Sequence, residues 1–204
     1  GNAIWFGDAA EKMGVDVMRW LYSGQNPEHN LLFGYNLADD VRKHLITLWN
    51  TYSFFITYAR LDGYDPQNDL VSKSQLTQID AWILAKVNLF IKKAEYYYEN
   101  FQVYKFMKES VLLLDDISNW YVRRNRRRFW KSENDSDKMA AYYTLYTVLV
   151  KYIKVMSPII PFISEKMYQN LVVKSDKNAP KSIHHTDFPK FDEAATNYSL
   201  INEV

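Results

Sequence analysis

From residue 67 to residue 157 the chain carries neither glycine nor proline. Inside a helix those two residues cost roughly 1 and 3 kcal/mol, so a long interval without either favours long helices. The apolar spacing agrees. Ile79, Ile83, Val87, Phe90, Ala94, Tyr97 and Phe101 step by three or four, as one face of a helix does. Thr77-Gln78-Ile79-Asp80 has capping-box form with Asp in place of Glu, which sets the start of this helix near Gln78. A second helix is predicted over 103–130, with Val103, Phe106, Met107, Leu113, Leu114, Ile117 and Tyr121 inward. The polar run Ser132-Glu133-Asn134-Asp135-Ser136 breaks it. A third is predicted over 137–156. Ser157 and Pro158 then read as N-cap and first residue of a fourth that ends near Val173.

All six glycines fall at or before Gly63. The first 65 residues therefore read differently: two short helices broken at Gly14, an extended link or short strand at Leu31-Leu32-Phe33, a helix over 36–60, and a turn at 61–66. The tail after Lys174 is polar and reads as irregular. The expected architecture is all-α: an up-and-down helical bundle over 36–174, preceded by a small irregular N-terminal connecting segment over 1–35 and followed by an irregular segment over 175–204.

Composition removes several functions. The chain has 204 residues and no cysteine, which excludes disulfides, thiol catalysis and cysteine-based zinc sites. A phosphate-binding loop needs several glycines at fixed spacing, and the 141 residues after Gly63 have none. No apolar run approaches the ~18 residues of a membrane span, and no signal peptide opens the chain, so a cytoplasmic protein is expected. The adjacent His184 and His185 are a poor metal pair, and no metal site or catalytic residue is assigned. Asp115 and Asp116 point apart on a helix and read as ion-pair partners of Lys or Arg. Tyr96-Tyr97-Tyr98 reads as core and rim. The formal net charge is +1, which as a bulk figure does not suggest a nucleic-acid binder.

The distribution of charge says more than its sum. Five of the eight arginines lie in six positions, Arg123, Arg124, Arg126, Arg127 and Arg128, between Trp120-Tyr121 and Phe129-Trp130. On a wheel at about 100° per residue, Arg124 and Arg128 fall on the apolar side with Leu113 and Ile117. They are expected to be half-buried and to pair with carboxylates for structural reasons, because an unpaired buried charge is costly. Arg123 and Arg126 fall away from that side with Asn119, and Arg127 sits at the rim near Trp120. Two readings fit this exposed group. One is a solvated charged face over core aromatics. The other is a surface for RNA, since arginine forks bind phosphate bidentately and indole faces stack unpaired bases.

The stretch Asp116-Ile117-Ser118-Asn119-Trp120-Tyr121-Val122-Arg123-Arg124-Asn125-Arg126-Arg127-Arg128-Phe129-Trp130 resembles the anticodon-domain helix of isoleucyl-tRNA synthetases, especially the type shared with eukaryotic enzymes. Leu48-Trp49-Asn50-Thr51-Tyr52-Ser53-Phe54-Phe55, Leu76-Thr77-Gln78-Ile79-Asp80-Ala81-Trp82, Ser157-Pro158-Ile159-Ile160-Pro161 and Ser182-Ile183-His184-His185-Thr186-Asp187-Phe188-Pro189 resemble its other segments in order. Gly1-Asn2-Ala3-Ile4 resembles the segment just after the Lys-Met-Ser-Lys-Ser signature of that family.

The resemblance implies a fragment that starts after that signature, lacks the catalytic and editing domains, and is not catalytic alone. The parent would be an isoleucine–tRNA ligase using ATP and Mg, and the fragment itself would need no cofactor. Its implied partners are the anticodon stem-loop of tRNA(Ile), the catalytic core and a C-terminal extension of the same polypeptide. Residues 1–35 would join that core to the bundle and lean on the tRNA stem. The implied tRNA contacts are Arg123, Arg126 and Arg127 on phosphates or base edges, Asn119 on a base, and Trp120 or Trp130 as stacking faces. The alternatives are the matching domain of a valyl- or leucyl-tRNA synthetase, or a helical scaffold that binds proteins.

Overall fold

The computed structural model describes residues 3–203 except Asn134, Ala194, Ala195 and Asn197. Gly1 and Asn2, where the resemblance begins, lie outside the described residues. The elements are α1 (Phe6–Met13), α2 (Val15–Ser23), α3 (Tyr35–Asp62), α4 (Gln78–Glu99), α5 (Val103–Asp115), a π-helical segment Asp116–Val122, α6 (Arg123–Trp130), α7 (Ser136–Met156), α8 (Pro161–Tyr168), a second π-helical segment Gln169–Val173, and α9 (Tyr198–Glu203). Among the described residues there is no β-strand, and Leu31-Leu32-Phe33 is an extended link. Gly14 separates α1 from α2 at φ 88°, a backbone conformation that a side chain makes costly.

The central helix α4 packs between α5 and α7, and α3 packs against α7 and the first π-helical segment. Ile83, Val87, Phe90 and Ala94 of α4 are buried, as expected, and meet buried Phe106, Ile117, Leu145 and Tyr152. Full burial of each such aliphatic or phenyl side chain contributes about 1.5–3 kcal/mol. The tyrosine-rich composition has a packing use. Tyr152 Oη donates to Ser110 O at 3.2 Å, Tyr98 Oη to Val155 O at 3.0 Å and Tyr168 Oη to Pro180 O at 3.0 Å. Each ring is buried or half-buried without stranding its hydroxyl.

The capping box at the start of α4 is present. Thr77 N donates to Asp80 Oδ2 at 2.9 Å and Asp80 N to Thr77 Oγ1 at 3.4 Å. The other end of α4 differs from the expected apolar stripe. Phe101 lies outside the helix, 87% exposed, with φ 56°. It takes the left-handed position of a Schellman stop, in which Gln102 N donates to Tyr97 O at 2.8 Å.

Entry into α8 also differs. Ser157 and Pro158 belong to a turn, and the helix starts one proline later, with Pro161 at its first position. Ile159 N and Ile160 N donate to Met156 O at 2.8 and 2.9 Å, so the turn closes the end of α7 first. The amides at the start of α8 are satisfied from far away: Asp16 of α2 accepts from Phe162 N at 3.4 Å and Ile163 N at 2.7 Å. A cap supplied by another helix leaves no local sequence signal. Arg19 Nε completes the junction by donating to Ile159 O at 3.0 Å.

The tail is more ordered than its polarity suggests. It contains α9, whose Leu200 is buried, and Asn88 of α4 accepts from Asp192 N at 3.0 Å.

Candidate nucleic-acid interface

The helix predicted over 103–130 is one continuous rod made of α5, the π-helical segment and α6. The joints stay helical, with φ −56° and ψ −42° at Asp116 and φ −59° and ψ −42° at Arg123. A π turn bonds i to i+5 and so takes one more residue than an α turn. That extra residue shifts the buried stripe. Upstream the core positions are Leu113 and Ile117; downstream they are Tyr121, Val122, Asn125 and Phe129. A wheel drawn at about 100° per residue puts Arg124 on the core side, whereas the shifted stripe puts Asn125 there.

The consequences for Arg124 and Arg128 diverge. Arg124 is exposed, and no carboxylate pairs with it among the described residues. Its guanidinium lies 3.9 Å from the centroid of Trp120, a cation–π stack. Its expected role as a buried structural ion pair is therefore corrected. Arg128 is half-buried at the rim of the stripe. Its Nη1 donates to Asp80 Oδ1 at 2.8 Å and to Asn125 Oδ1 at 3.0 Å. Its Nη2 donates to Asp80 Oδ2 at 2.8 Å and to Asp137 O at 2.9 Å, and Nε lies 2.8 Å from Asp137 Oδ1.

Asp80 is fully buried and also accepts from Tyr121 Oη at 2.6 Å and Thr77 Oγ1 at 2.7 Å. Burial alone would raise its carboxyl, but the hydrogen bonds of Arg128, Tyr121 and Thr77 and the Arg128 charge hold it below the usual carboxylate value. Burial next to this carboxylate pushes the Tyr121 hydroxyl well above its ordinary value, so it stays protonated and donates. This network ties α6 to the starts of α4 and α7 and fixes which arginines face outward.

Besides Arg124, stacked on Trp120, those that do are Arg123, Arg126 and Arg127. All three are exposed and have no carboxylate within ion-pair distance among the described residues. Trp130 is 53% exposed, packs on Tyr58 of α3 at 6.4 Å between centroids, and has the Arg126 guanidinium 6.0 Å from its ring. Asn119 is exposed and donates to Asp115 Oδ1. Trp120 is half-buried, with one face covered by Arg124. The structure thus separates the expected contact residues. Asn119, Arg126 and Trp130 lie on the side facing α3, Trp120 lies beneath Arg124, and Arg127 projects outward.

Between the π-helical segment and α3 is a cleft of about 230 Å³, lined by Thr47, Asn50, Thr51, Phe54, Ser118, Asn119, Val122 and Arg126. Sequence reasoning does not single out the α3 side of this cleft. Asn50, Thr51 and Phe54 fall in a segment that resembles the family, but Thr47 and Asn50 lie far from the arginine run along the chain and nothing in the sequence brings them beside it.

Other charged candidates are internally paired. Asp116 meets Lys86 at 2.9 Å, and Lys131 meets Asp135 and Asp137 at 2.6 and 2.9 Å. His44 stacks on Trp20 at 5.8 Å between centroids. Among the described residues, no group of three or more His, Asp or Glu is arranged to hold a metal ion, and no helix is long and apolar enough to cross a membrane.

Residues 80–204 match the family described as the anticodon-binding domain of tRNA ligase. Along its whole length the chain is similar to proteins named isoleucine–tRNA ligase. It is 39% identical to that of Dehalococcoides mccartyi, 42% to that of Clostridium novyi and 38% to that of Thermus thermophilus, with 100% of this chain aligned in each case. The chain spans 20% of the length of each of these relatives. With a profile match over more than half its residues, this chain belongs to the anticodon-binding domain family of tRNA ligases.

Proposed function

We propose that this domain recognises the anticodon stem-loop of tRNA(Ile) as part of an isoleucine–tRNA ligase. The observation that carries the reading is the outer surface of α6. Three exposed arginines without carboxylate partners share α6 with an exposed indole, which Arg126 approaches to 6.0 Å, while the fourth and fifth arginines of the helix are held by stacking and by ion pairs. An anticodon loop offers phosphates and unstacked bases, and sequence-specific RNA readers use such single-stranded elements. Arg123, Arg126 and Arg127 would fork onto loop phosphates, and Trp130 would give a face for one base.

On this reading the parent enzyme activates isoleucine with ATP and Mg and transfers it to tRNA in the cytoplasm. The chain spans 20% of the length of its relatives, and on this reading activation belongs to other parts of the polypeptide. Residues 1–35 would connect those parts to the bundle.

The test is a binding titration of tRNA transcripts that differ only in the anticodon. Preference for the isoleucine anticodon, lost on replacing Arg123, Arg126 and Arg127 by Ala while the circular-dichroism melt stays in place, is the expected result. Equal binding of every transcript, or full binding by the triple variant, overturns the proposal.

A further inference from the structure

The run of the backbone does not by itself fix how α2 lies on the bundle. Gly14 breaks the helix before it, and residues 24–34 after it form no helix. Its apolar side, Val17, Met18, Trp20 and Leu21, is buried, and Trp20 stacks on His44 of α3. Apolar burial is non-directional, so it holds a helix down without setting its angle.

Direction comes from Asp16 and Arg19. They stand one turn apart on one face of α2. Both reach the corner between α7 and α8, 139 to 147 residues further along the chain. Asp16 accepts from Phe162 N at 3.4 Å and Ile163 N at 2.7 Å. Arg19 donates from Nε to Ile159 O at 3.0 Å and from Nη2 to Pro158 O. The signs are matched. The carboxylate meets amides at the positive end of α8, and the guanidinium meets carbonyls of the turn that closes α7. A third group secures the end of α1: Arg42 Nη2 of α3 donates to Lys12 O at 2.8 Å. A rotation of α2 would break bonds to two parts of the corner at once, so α2 and the α7–α8 corner move as one body.

We propose that Asp16 and Arg19 are positioning residues for the transfer of isoleucine to tRNA. They hold α1 and α2 at a set angle on the bundle. That angle sets the distance between an anticodon loop on α6 and the chemistry elsewhere in the polypeptide. The inference rests on the reading of this chain as the anticodon-binding part of an isoleucine–tRNA ligase. Neither residue touches substrate. Transfer requires the far end of the tRNA to be placed correctly, and a misplacement of about 1 Å costs up to about a hundredfold. Formation of the adenylate from isoleucine and ATP needs no tRNA in place, so a loosened joint leaves it alone.

The test uses the full-length ligase of which this reading makes the chain a part. Two rates are measured in each preparation: isoleucine-dependent ATP–pyrophosphate exchange, and aminoacylation of tRNA(Ile). Partial unfolding lowers both alike, so their ratio is the readout. Asp16→Ala and Arg19→Ala should each lower kcat for aminoacylation about tenfold relative to exchange, with KM for tRNA within about twofold of wild type. Asp16→Asn keeps an acceptor for one amide and should recover part of the loss. Phe162→Ala trims an exposed ring on the same corner, leaves its amide in place and should keep the wild-type ratio. A wild-type ratio in both alanine variants overturns the proposal. So does an equal fall in Phe162→Ala, or a rise in KM with kcat unchanged, which would make the two residues tRNA contacts. If the wild-type ligase attaches no isoleucine to tRNA, the reading of the domain fails and the inference falls with it.

Discussion

Replacing Arg128 by alanine tests whether the buried network, and not general packing, holds α6 in place. The side chain joins three elements: Asp80 at the start of α4 through two bonds, Asn125 within its own helix, and Asp137 at the start of α7. Removing one partner of a buried ion pair costs about 3–5 kcal/mol, because the other charge is left without compensation. Asp80 would keep the Tyr121 hydroxyl and both Thr77 donors, and Arg128 is 13% exposed, so water can reach its place. The lower end applies, about 3 kcal/mol. For a chain of this size that is a drop in melting temperature of roughly 6–12 °C.

Arg124→Ala, one turn away, removes only an exposed cation–π stack of about 0.5–1 kcal/mol and should melt within a few degrees of wild type. The pH dependence sharpens the test. The folded-state value of Asp80 lies below its unfolded value, so its contribution is present above the unfolded carboxylate value and is lost as pH falls through the folded one. Arg128→Ala removes the main source of that lowering. The gap in stability between the two proteins should narrow from about pH 7 to about pH 3. Thermal melts followed by circular dichroism across that range read it directly. A variant that melts within about 2 °C of wild type, or a gap that stays constant with pH, would refute the electrostatic account.

Thr77→Ala removes a cap that serves both the helix start and Asp80, and should cost about 1 kcal/mol or slightly more in a denaturant titration. Phe101→Gly relieves a left-handed residue whose ring is almost wholly in solvent, and is expected to raise stability by about 1 kcal/mol despite the added freedom of the unfolded chain. A lower melting temperature would show that Phe101 packs in solution. For RNA, replacing Arg123, Arg126 and Arg127 together should flatten the dependence of log affinity on log salt by about 2, at roughly 0.7 per single-stranded phosphate contact. An unchanged slope would place the phosphates elsewhere.

Much of the fold can be read along the chain because its signals are local. The capping box at Thr77, the left-handed glycine between α1 and α2 and the apolar steps of α4 each depend on residues within a turn or two. The arginine run is visible for the same reason. The features that local reading misplaces depend on distance. The start of α8 follows Pro161 because its amides are capped by Asp16 of α2, more than a hundred residues earlier. A regular wheel assigns Arg124 to the core because it cannot register the π turn.

Backbone propensity and apolar period operate over a few residues, so composition and spacing are enough to establish an all-helical chain with a concentrated positive helix end. Where each arginine points depends on a phase set by the π-helical segment and locked by Asp80 from a neighbouring helix. The cleft exists only because α3 lies beside that segment. Both are consequences of packing between helices remote in the chain, and only the folded structure decides them.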